Sequence, residues 1–567
     1  MGGPEATSTN NLRLPQGRPL GSPTATPTAT PKRQVSGLGH SEHRLPRVRP
    51  ASTPTASPIN IPQRETISEN IVEVKHTNTP GEDVMLEMVR KVRQLEVMCI
   101  TVPEGGHLVP TAQVAMALAR RSHHVQLVTC SCAHDKIAAK VERTGCDFVG
   151  VASHVQAAES GQGRAAELKE QDLMISMFMY YNDEMHGPVR ELVKRRRPDI
   201  IVADFITPCA WQIGDELGIP VMMNVPGPLA LFGMFSPLAM MITNVKMALK
   251  APRIEAMAMK RLQAYLCNMP YERPCLVHTF FGFEAPQPLL PNITVTGSTA
   301  PRSSSIVRET SMPAFNDWLE LVRGEGLKVV YVTMGSMQKL QDFQVRGLYE
   351  GLARIPGVAV AWSLMEDQQR FLPGGGIQGL PKKFFINKWM PQAEALQLPE
   401  VCVVVTHCGW GGLNETICAG KPIAATPFRA DQPLNASVAK RQGLCEIIDT
   451  HKLNALAVER TVMKVLTEPS YAERARMMQA TLLKTGGAES CAEAVEKLAE
   501  QGCGELLSRP PTLASSLSPL ARRAAYFCIG IAVAWLAPRA VPAARSVGVG
   551  MLQATAARAV AMIGRRP

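Results

Sequence analysis

Short runs of branched apolar residues alternate along this chain with longer stretches of helical periodicity. Runs that are apolar at every position are typical of strands buried on both faces, so their alternation with helices predicts parallel sheets covered on both sides. The runs form two series: 95–102, 124–130, 199–204 and 220–225 in the first, then 327–334, 358–364, 383–389, 401–407 and 421–426 in the second.

A Pro/Ser-rich stretch near 298–312 separates the two series. We therefore predict an α/β fold with two Rossmann-like doubly wound domains, one at 90–300 and the other at 313–503. Helical periodicity at 110–121 and 165–196 fills gaps in the first series. It continues through roughly 453–502, which predicts a helical segment that crosses back to the first domain.

The net charge of +11 suggests nucleic acid or an anionic membrane as a partner until its distribution is considered. Residues 1–64 contribute +6 and the chain from Arg509 onward contributes +8, which leaves −3 for the body. We therefore predict no nucleic-acid partner, because the body lacks an excess of basic residues.

Both ends of the chain differ in composition from the body. Residues 1–80 form a Pro/Ser/Thr-rich basic leader, predicted to be disordered, whose composition overlaps with that of organelle transit peptides. Residues 504–567 contain a spacer and the apolar run 524–538 between two arginines. Three interpretations of 520–567 stay open: a short membrane anchor, an interfacial helix, or a tail packed on the body.

The 14 cysteines are scattered, without a C-x-x-C pair or zinc-ligand spacing. This usage predicts free thiols, no structural metal and a cytoplasmic protein, with membrane association through the C-terminal segment as an alternative.

Two polar residues follow or end strands of the first series. His107 lies after the first strand in the segment GGHLVP 105–110, where Pro110 suits the first turn of a helix, and Asp204 closes the run DIIVAD. Parallel strands bring such ends to one sheet edge, where a carboxylate would orient an imidazole acting as a general base. A helix cap or turn packing explains either residue alone.

The second series carries a longer motif over 389–436. Trp389 offers a stacking surface for a planar base, and His407 ends a buried strand that runs through C-G-W-G-G into a helix. Glycines at a helix N-terminus expose N–H groups that suit a diphosphate, and Glu415 one turn later suits ribose hydroxyls. Asp431 and Gln432 follow the next strand and suit the hydroxyls of a sugar.

This motif resembles the nucleotide-sugar signature of family 1 UDP-dependent glycosyltransferases, especially the plant secondary-product type, and the similarity covers about 95–500. The matching residues are Trp389, Pro391, Gln392, Leu396, Thr406, His407, Cys408, Gly409, Trp410, Glu415, Gly420, Pro422, Pro427, Asp431, Gln432, Asn435 and Ala436, together with the segments GGHLVP 105–110, VADF 202–205 and YVTMGS 331–336.

The resemblance implies the GT-B architecture, with two domains facing a central cleft, and an inverting hexosyltransferase that needs no metal or other cofactor. His107 would be the base that deprotonates a small acceptor and Asp204 its partner. The donor UDP-sugar would contact Trp389 at uracil, Glu415 at ribose, His407 and Ser336 at the diphosphate, and Asp431 and Gln432 at the sugar, with glucose favoured by Gln432. Gln392, Gly409, Trp410, Gly411 and Gly412 complete the predicted site.

Two departures from the signature concern the donor. Gly411-Gly412 replaces Asn-Ser, and Leu398 replaces a His. For the acceptor, the Met-rich segment 226–282 suggests a lipophilic alcohol or phenol, although core packing of helices explains the same residues. Two alternative functions are glycosylation of a sterol or other lipid at a membrane and a catalytically silent nucleotide-sugar-binding scaffold.

Overall fold

The computed structural model describes residues 93–502 apart from 159–163, 171–172, 235–238, 241, 244–246, 248, 250, 267–271 and 303–306. Within these residues two parallel sheets with covering helices form the α/β fold predicted from the sequence, and the fold class is confirmed. The leader and the segment 504–567 lie outside the described residues. Among the described residues, none of the helices has the length and apolarity to cross a membrane.

The first sheet has the strand order β3-β2-β1-β4-β5-β6-β7 and is parallel throughout. Its strands are β1 Glu96–Ile100, β2 His124–Cys130, β3 Cys146–Val151, β4 Ile200–Asp204, β5 Val221–Val225, β6 Cys275–Val277 and β7 Ile293–Val295. The helices of this domain are α1 Gly105–Arg120, α2 His134–Glu142, α3 Arg164–Glu170, α4 Met174–Arg196, α5 Pro208–Leu217, α6 Ala230–Met234 and α7 Arg253–Leu266.

The second sheet has the order β10-β9-β8-β11-β12-β13. Its strands are β8 Lys328–Thr333, β9 Val358–Ser363, β10 Phe384–Asn387, β11 Val401–Thr406, β12 Ile423–Ala425 and β13 Cys445–Ile447. Its helices are α8 Pro313–Gly324, α9 Asp342–Ala353, α10 Glu366–Gln369, α11 Gln392–Gln397, α12 Trp410–Cys418, α13 Gln432–Arg441, α14 Ala455–Thr467, α15 Pro469–Leu483 and α16 Ala488–Gln501.

Burial on both faces explains the uninterrupted apolar runs. In β1, Met98 and Ile100 enter one core while Val97 and Cys99 enter the core on the opposite face. Four strands lie outside the sequence-predicted runs. Three of them, β6, β7 and β13, have only three residues each, and the fourth, β3, is only partly buried.

The start of α1 differs from the sequence prediction. The helix begins at Gly105, so Pro110 lies inside it and not in its first turn. The carbonyl of Glu104 already accepts the N–H of Leu108 at 2.8 Å, which closes a helical turn ahead of the proline. His107 therefore belongs to the first turn of this helix.

The last helix, α16, crosses back to the first domain, as the periodicity of 453–502 predicted. Its residues Cys491 and Val495 are buried in the same core as β1 and α1. Glu496 accepts two hydrogen bonds from Arg121, both 2.8 Å, and lies 2.8 Å from Nε2 of the buried His123. This Glu496 cluster ties the C-terminal helix to the loop that precedes β2.

Candidate active site

The strand order reverses at one place in each sheet, and both places carry predicted site residues. In the first sheet the reversal lies between β1, which His107 follows, and β4, which Asp204 ends. In the second sheet it lies between β8 and β11, which Ser336 and His407 follow. Open α/β sheets bind ligands outside the carboxyl ends of their strands at such reversals.

His107 and Asp204 are in contact, although 97 residues separate them in sequence. The imidazole Nδ1 lies 3.0 Å from Oδ1 and 3.2 Å from Oδ2 of Asp204, whose side chain is fully buried. Oδ1 also accepts the N–H of Ile206 at 3.0 Å. Since an ionised carboxylate only accepts hydrogen bonds, Nδ1 carries the proton and Nε2 is left as the basic nitrogen.

Aromatic rings surround the imidazole of His107. The rings of Phe178 and Phe205 each lie 5.5 Å from it, centroid to centroid. The His107 side chain is still 18% exposed, so one side of the ring remains accessible. The pair thus combines a basic nitrogen with an apolar surrounding.

A second contact, which the sequence analysis missed, holds the main chain of His107. Thr111 donates its hydroxyl to the carbonyl of His107 at 2.8 Å, and the amide of the buried Asn224 donates to the same hydroxyl at 3.1 Å. Asn224 pairs with Asp204 in the sheet register, so neighbouring strands fix the ring and the backbone. The sequence signal that could have identified Asn224 is its position near the carboxyl end of the apolar run 220–225.

His407 lies between two glycines that must lack side chains. A Cβ on Gly335 would come within 2.7 Å of the imidazole Nε2, and one on Gly409 within 2.5 Å. Gly335 also has φ +71°, a conformation that favours glycine. Burial lowers the pKa of His407 to about 4, so the ring is neutral near pH 7.

The helix α12 begins at Trp410, directly after Gly409, and its first turn contains Gly411 and Gly412. A Cβ on Gly411 would meet no atom within 4 Å, so this turn is open on that side. The indole of Trp410 points elsewhere: its Nε1 donates to the carbonyl of His278 at 3.2 Å in the first domain. Any contact of Trp410 with a donor would therefore involve its main chain.

Glu415 and Gln392 lie side by side, because Nε2 of Gln392 donates a hydrogen bond to Glu415. Burial raises the pKa of Glu415, and this hydrogen bond partly offsets the effect. Trp389 is 61% exposed, which leaves its ring face available for stacking. These three predicted residues lie on α12, α11 and the segment before α11.

Asp431 and Gln432 lie at the start of α13. Burial raises the pKa of Asp431. Hydrogen bonds from Asn435 and from the Trp410 N–H lower this pKa, and so does the positive charge of His107 when that residue is protonated. This electrostatic effect links Asp431 of the second domain to His107 of the first.

The predicted Met-rich acceptor surface is only partly visible. Met240 is buried, whereas Met257 is 63% exposed, so these two do not share one environment. Met247 and Met259 are half-buried; Met241, Met269 and the side chain of Met234 lie outside the described residues. Within the part of the chain that the structure describes, we find no cluster of three metal-ligating side chains.

Comparison with known proteins shows which families and folds this chain is similar to. The family model described as UDP-glucuronosyl and UDP-glucosyl transferase matches residues 269–485. Human UDP-glucuronosyltransferase 2A2 is 26% identical over 317 residues, which is 49% of this chain and 55% of that protein. Arabidopsis thaliana UDP-glycosyltransferase 74F2 is 28% identical over 170 residues, 30% of this chain and 37% of that protein. The chain thus spans roughly a third to a half of these relatives' length.

Solved structures share the fold over most of the described region. TcCGT1 in complex with UDP superposes with a TM-score of 0.59 at 16% identity, covering 72% of this chain and 100% of that one. The glycotransferase of kitacinnamycin gives a TM-score of 0.53 at 21% identity, covering 71% and 99%. These similarities confirm the two-domain glycosyltransferase architecture that the sequence resemblance implied.

Proposed function

We propose that this chain, whose residues 269–485 match the model of the UDP-glucuronosyl and UDP-glucosyl transferase family, transfers a hexose from a UDP-sugar to a hydroxyl of a small lipophilic acceptor and inverts the anomeric centre. The observation that carries this proposal is the His107–Asp204 pair, whose imidazole and carboxylate are 3.0 Å apart.

His107 Nε2 takes the proton of the acceptor hydroxyl, while Asp204 holds Nδ1–H and stabilises the imidazolium that forms. The acceptor oxygen then attacks the anomeric carbon from the face opposite UDP. The bond between that carbon and the phosphate oxygen breaks, and its electron pair leaves with UDP. Inversion of the anomeric centre follows from this single displacement.

The departing diphosphate lies against the N–H groups of Gly411 and Gly412 and the hydroxyl of Ser336, and no metal ion takes part. Burial lowers the pKa of His407 to about 4, so its ring meets the diphosphate as a neutral N–H donor. A bound diphosphate raises the proton affinity of this ring.

The remaining predicted residues bind the rest of the donor. Trp389 stacks on uracil, and Glu415, oriented by Gln392, accepts hydrogen bonds from the ribose. Asp431 and Gln432 contact the sugar. The rings of Phe178 and Phe205 beside His107 favour an apolar acceptor, because hydrophilic groups there would lose hydration without partners.

The proposal is tested by incubating the full chain with several UDP-sugars and a library of sterols, flavonoids and other lipophilic alcohols, and identifying products by mass. His107→Ala should abolish transfer but leave UDP affinity intact. His134→Ala, at a histidine whose side chain is 63% exposed, is the matched control and should behave as wild type. Transfer by His107→Ala at the wild-type rate would refute the assignment of the base.

Experiments on the same protein distinguish two alternative functions. If the enzyme glycosylates a sterol or other lipid at a membrane through residues 520–567, deletion of 510–567 should release it to the soluble fraction; unchanged partitioning would exclude anchoring by this segment. If the chain is a silent scaffold, it should bind UDP-sugars yet give no product with any acceptor.

A further inference from the structure

A buried amide on α4 is not used by the proposed chemistry. Asn182 is only 3% exposed. Phe178, one turn before it, and Met185, one turn after it, lie on the same face of the helix and are buried and apolar. Since an amide in such surroundings costs free energy unless it is hydrogen-bonded, the partners of Asn182 indicate what it holds in place.

The three hydrogen bonds of the Asn182 side chain go to backbone groups. Nδ2 donates to the carbonyl of Phe178 at 2.8 Å and to the carbonyl of Ile206 at 2.9 Å. Oδ1 accepts the N–H of Cys209 at 3.2 Å. The bond to Phe178 is local to α4, whereas the other two reach the 205–207 loop that follows β4 and the start of α5.

The bond to Cys209 supplies a cap that α5 lacks. This helix begins at Pro208, and Thr207 at its N-cap position makes no side-chain hydrogen bond to the first turn. The first N–H groups of a helix have no partner within the helix. Because Asn182 accepts one of them, the start of α5 is fixed relative to α4.

The bond to Ile206 leads to the proposed base. The N–H of Ile206 donates to Oδ1 of Asp204 at 3.0 Å, and Nδ1 of His107 lies 3.0 Å from the same oxygen. Ile206 is therefore held at its carbonyl by Asn182 while its N–H orients the carboxylate. A continuous series of hydrogen bonds runs from α4 through the 205–207 loop to the imidazole.

The same amide also fixes the two aromatic rings beside the base. Phe178 belongs to α4 and Phe205 to the 205–207 loop, and each ring centroid lies 5.5 Å from that of His107. Asn182 bonds to the carbonyl of Phe178 and to the carbonyl of Ile206, the residue after Phe205. Loss of the amide would free the loop from α4 and let both the ring of Phe205 and the carboxylate of Asp204 move.

We propose that Asn182 is a positioning residue for the base. It holds the 205–207 loop so that Asp204 keeps His107 in the form protonated at Nδ1, which leaves Nε2 to take the proton of the acceptor. This inference rests on the proposed function. The hydrogen bonds of Asn182 go to the protein backbone, so its effect on transfer passes through Asp204.

The first test is kinetic and uses the full chain. Asn182→Ala should lower kcat by roughly 10- to 100-fold, as expected for a displacement of about 1 Å in a positioned group, and change the affinity for UDP by less than about threefold. In the Asp204→Asn background the same substitution should lower kcat by less than about threefold, because the carboxylate that Asn182 positions is already absent.

Nitrogen NMR of the chain with isotope-labelled histidine gives a second readout that does not depend on turnover. The signals of His107 are identified by their absence from His107→Ala. At alkaline pH, wild type should show this ring as a single tautomer protonated at Nδ1, whereas Asn182→Ala should show a mixture of the two tautomers.

Ser176→Ala is the matched control, because Ser176 is also buried on α4 and its hydroxyl donates to Glu255 at 2.6 Å, outside the series of hydrogen bonds that reaches the imidazole. It should lower the melting temperature and leave kcat and the His107 tautomer unchanged. Asn182→Ser is the milder variant if Asn182→Ala does not fold. A serine hydroxyl reaches the carbonyl four residues earlier, here that of Phe178, but is too short for Ile206. Asn182→Ser should therefore lower kcat about as much as Asn182→Ala.

Wild-type kcat in a folded Asn182 variant, or an unchanged tautomer of His107, would overturn the proposal. Equal losses of kcat in the wild-type and Asp204→Asn backgrounds would also overturn it, because Asn182 would then act independently of Asp204. If wild type yields no product with any acceptor, the proposed function itself fails, and the tautomer measurement alone decides whether Asn182 positions the pair.

Discussion

Replacing Gly409 with alanine tests the arrangement around His407 most directly. The added Cβ would lie 2.5 Å from the imidazole Nε2, whereas ordinary contacts begin at 3.4 Å, so the ring must retreat by about 0.9 Å. The backbone of Gly335 also lies close to this ring, since a Cβ on Gly335 would come within 2.7 Å of the same Nε2. A displacement of about 1 Å in a positioned group costs up to roughly 100-fold in rate, or about 2.7 kcal/mol.

We therefore expect Gly409→Ala to lower kcat/KM for the UDP-sugar by roughly 100-fold and to weaken UDP measurably in calorimetry. Gly324→Ala is the control, because a Cβ on this helical glycine would meet no atom within 4 Å and should leave activity unchanged. Melting curves verify that Gly409→Ala remains folded. A folded Gly409→Ala variant with wild-type kcat/KM and UDP affinity would refute the role assigned to His407.

Three further substitutions test the proposed site and the contact of α16 with the first domain. Asp204→Asn should lower kcat by roughly 100- to 10,000-fold with little change in UDP affinity, measured by steady-state kinetics and calorimetry. Glu415→Gln should weaken the affinity for UDP by roughly 10- to 100-fold. It should also raise the melting temperature, because burial raises the pKa of this carboxyl and so disfavours its charged form. This gain in stability should grow as pH rises above about 4.3. Glu496→Ala should lower the free energy of unfolding by about 1.5–3 kcal/mol in urea titrations, against at most about 0.5 for the exposed Glu493→Ala. The Arg121 hydrogen bond lowers the pKa of Glu496, so its contribution is present above about 4.3 and lost as pH falls further; equal effects of the two variants would contradict this role.

Several elements of the fold were predictable because their signals are local. The long buried strands are recognisable in the sequence as apolar runs, since both of their faces enter a core. The motif at 389–436 likewise combines residues whose spacing along one strand and one helix already fixes their relative positions. For these reasons the fold class and the resemblance to the family whose model matches residues 269–485 followed from the pattern of residues.

Other features depend on contacts between segments that are distant in sequence, and the spacing of residues along the chain does not predict such contacts. The start of α1 at Gly105 was missed because Pro110 is a strong local signal for a first turn, and the helix tolerates it internally. The three-residue strands β6, β7 and β13 carry too little periodicity to be recognised, and the hydrogen bond from Asn224 to Thr111 joins residues 113 apart.

The amino-acid sequence by itself determined the parallel α/β architecture, the glycine-rich helix start and the identity of the candidate base and carboxylates. The tertiary structure decided that His107 contacts Asp204 and that Trp410 turns towards the first domain. It also decided that Asn182 bonds to the 205–207 loop. The physical reason is the order of strands: each sheet reverses between strands distant in sequence, so the residues at a reversal come together only when that sheet is complete.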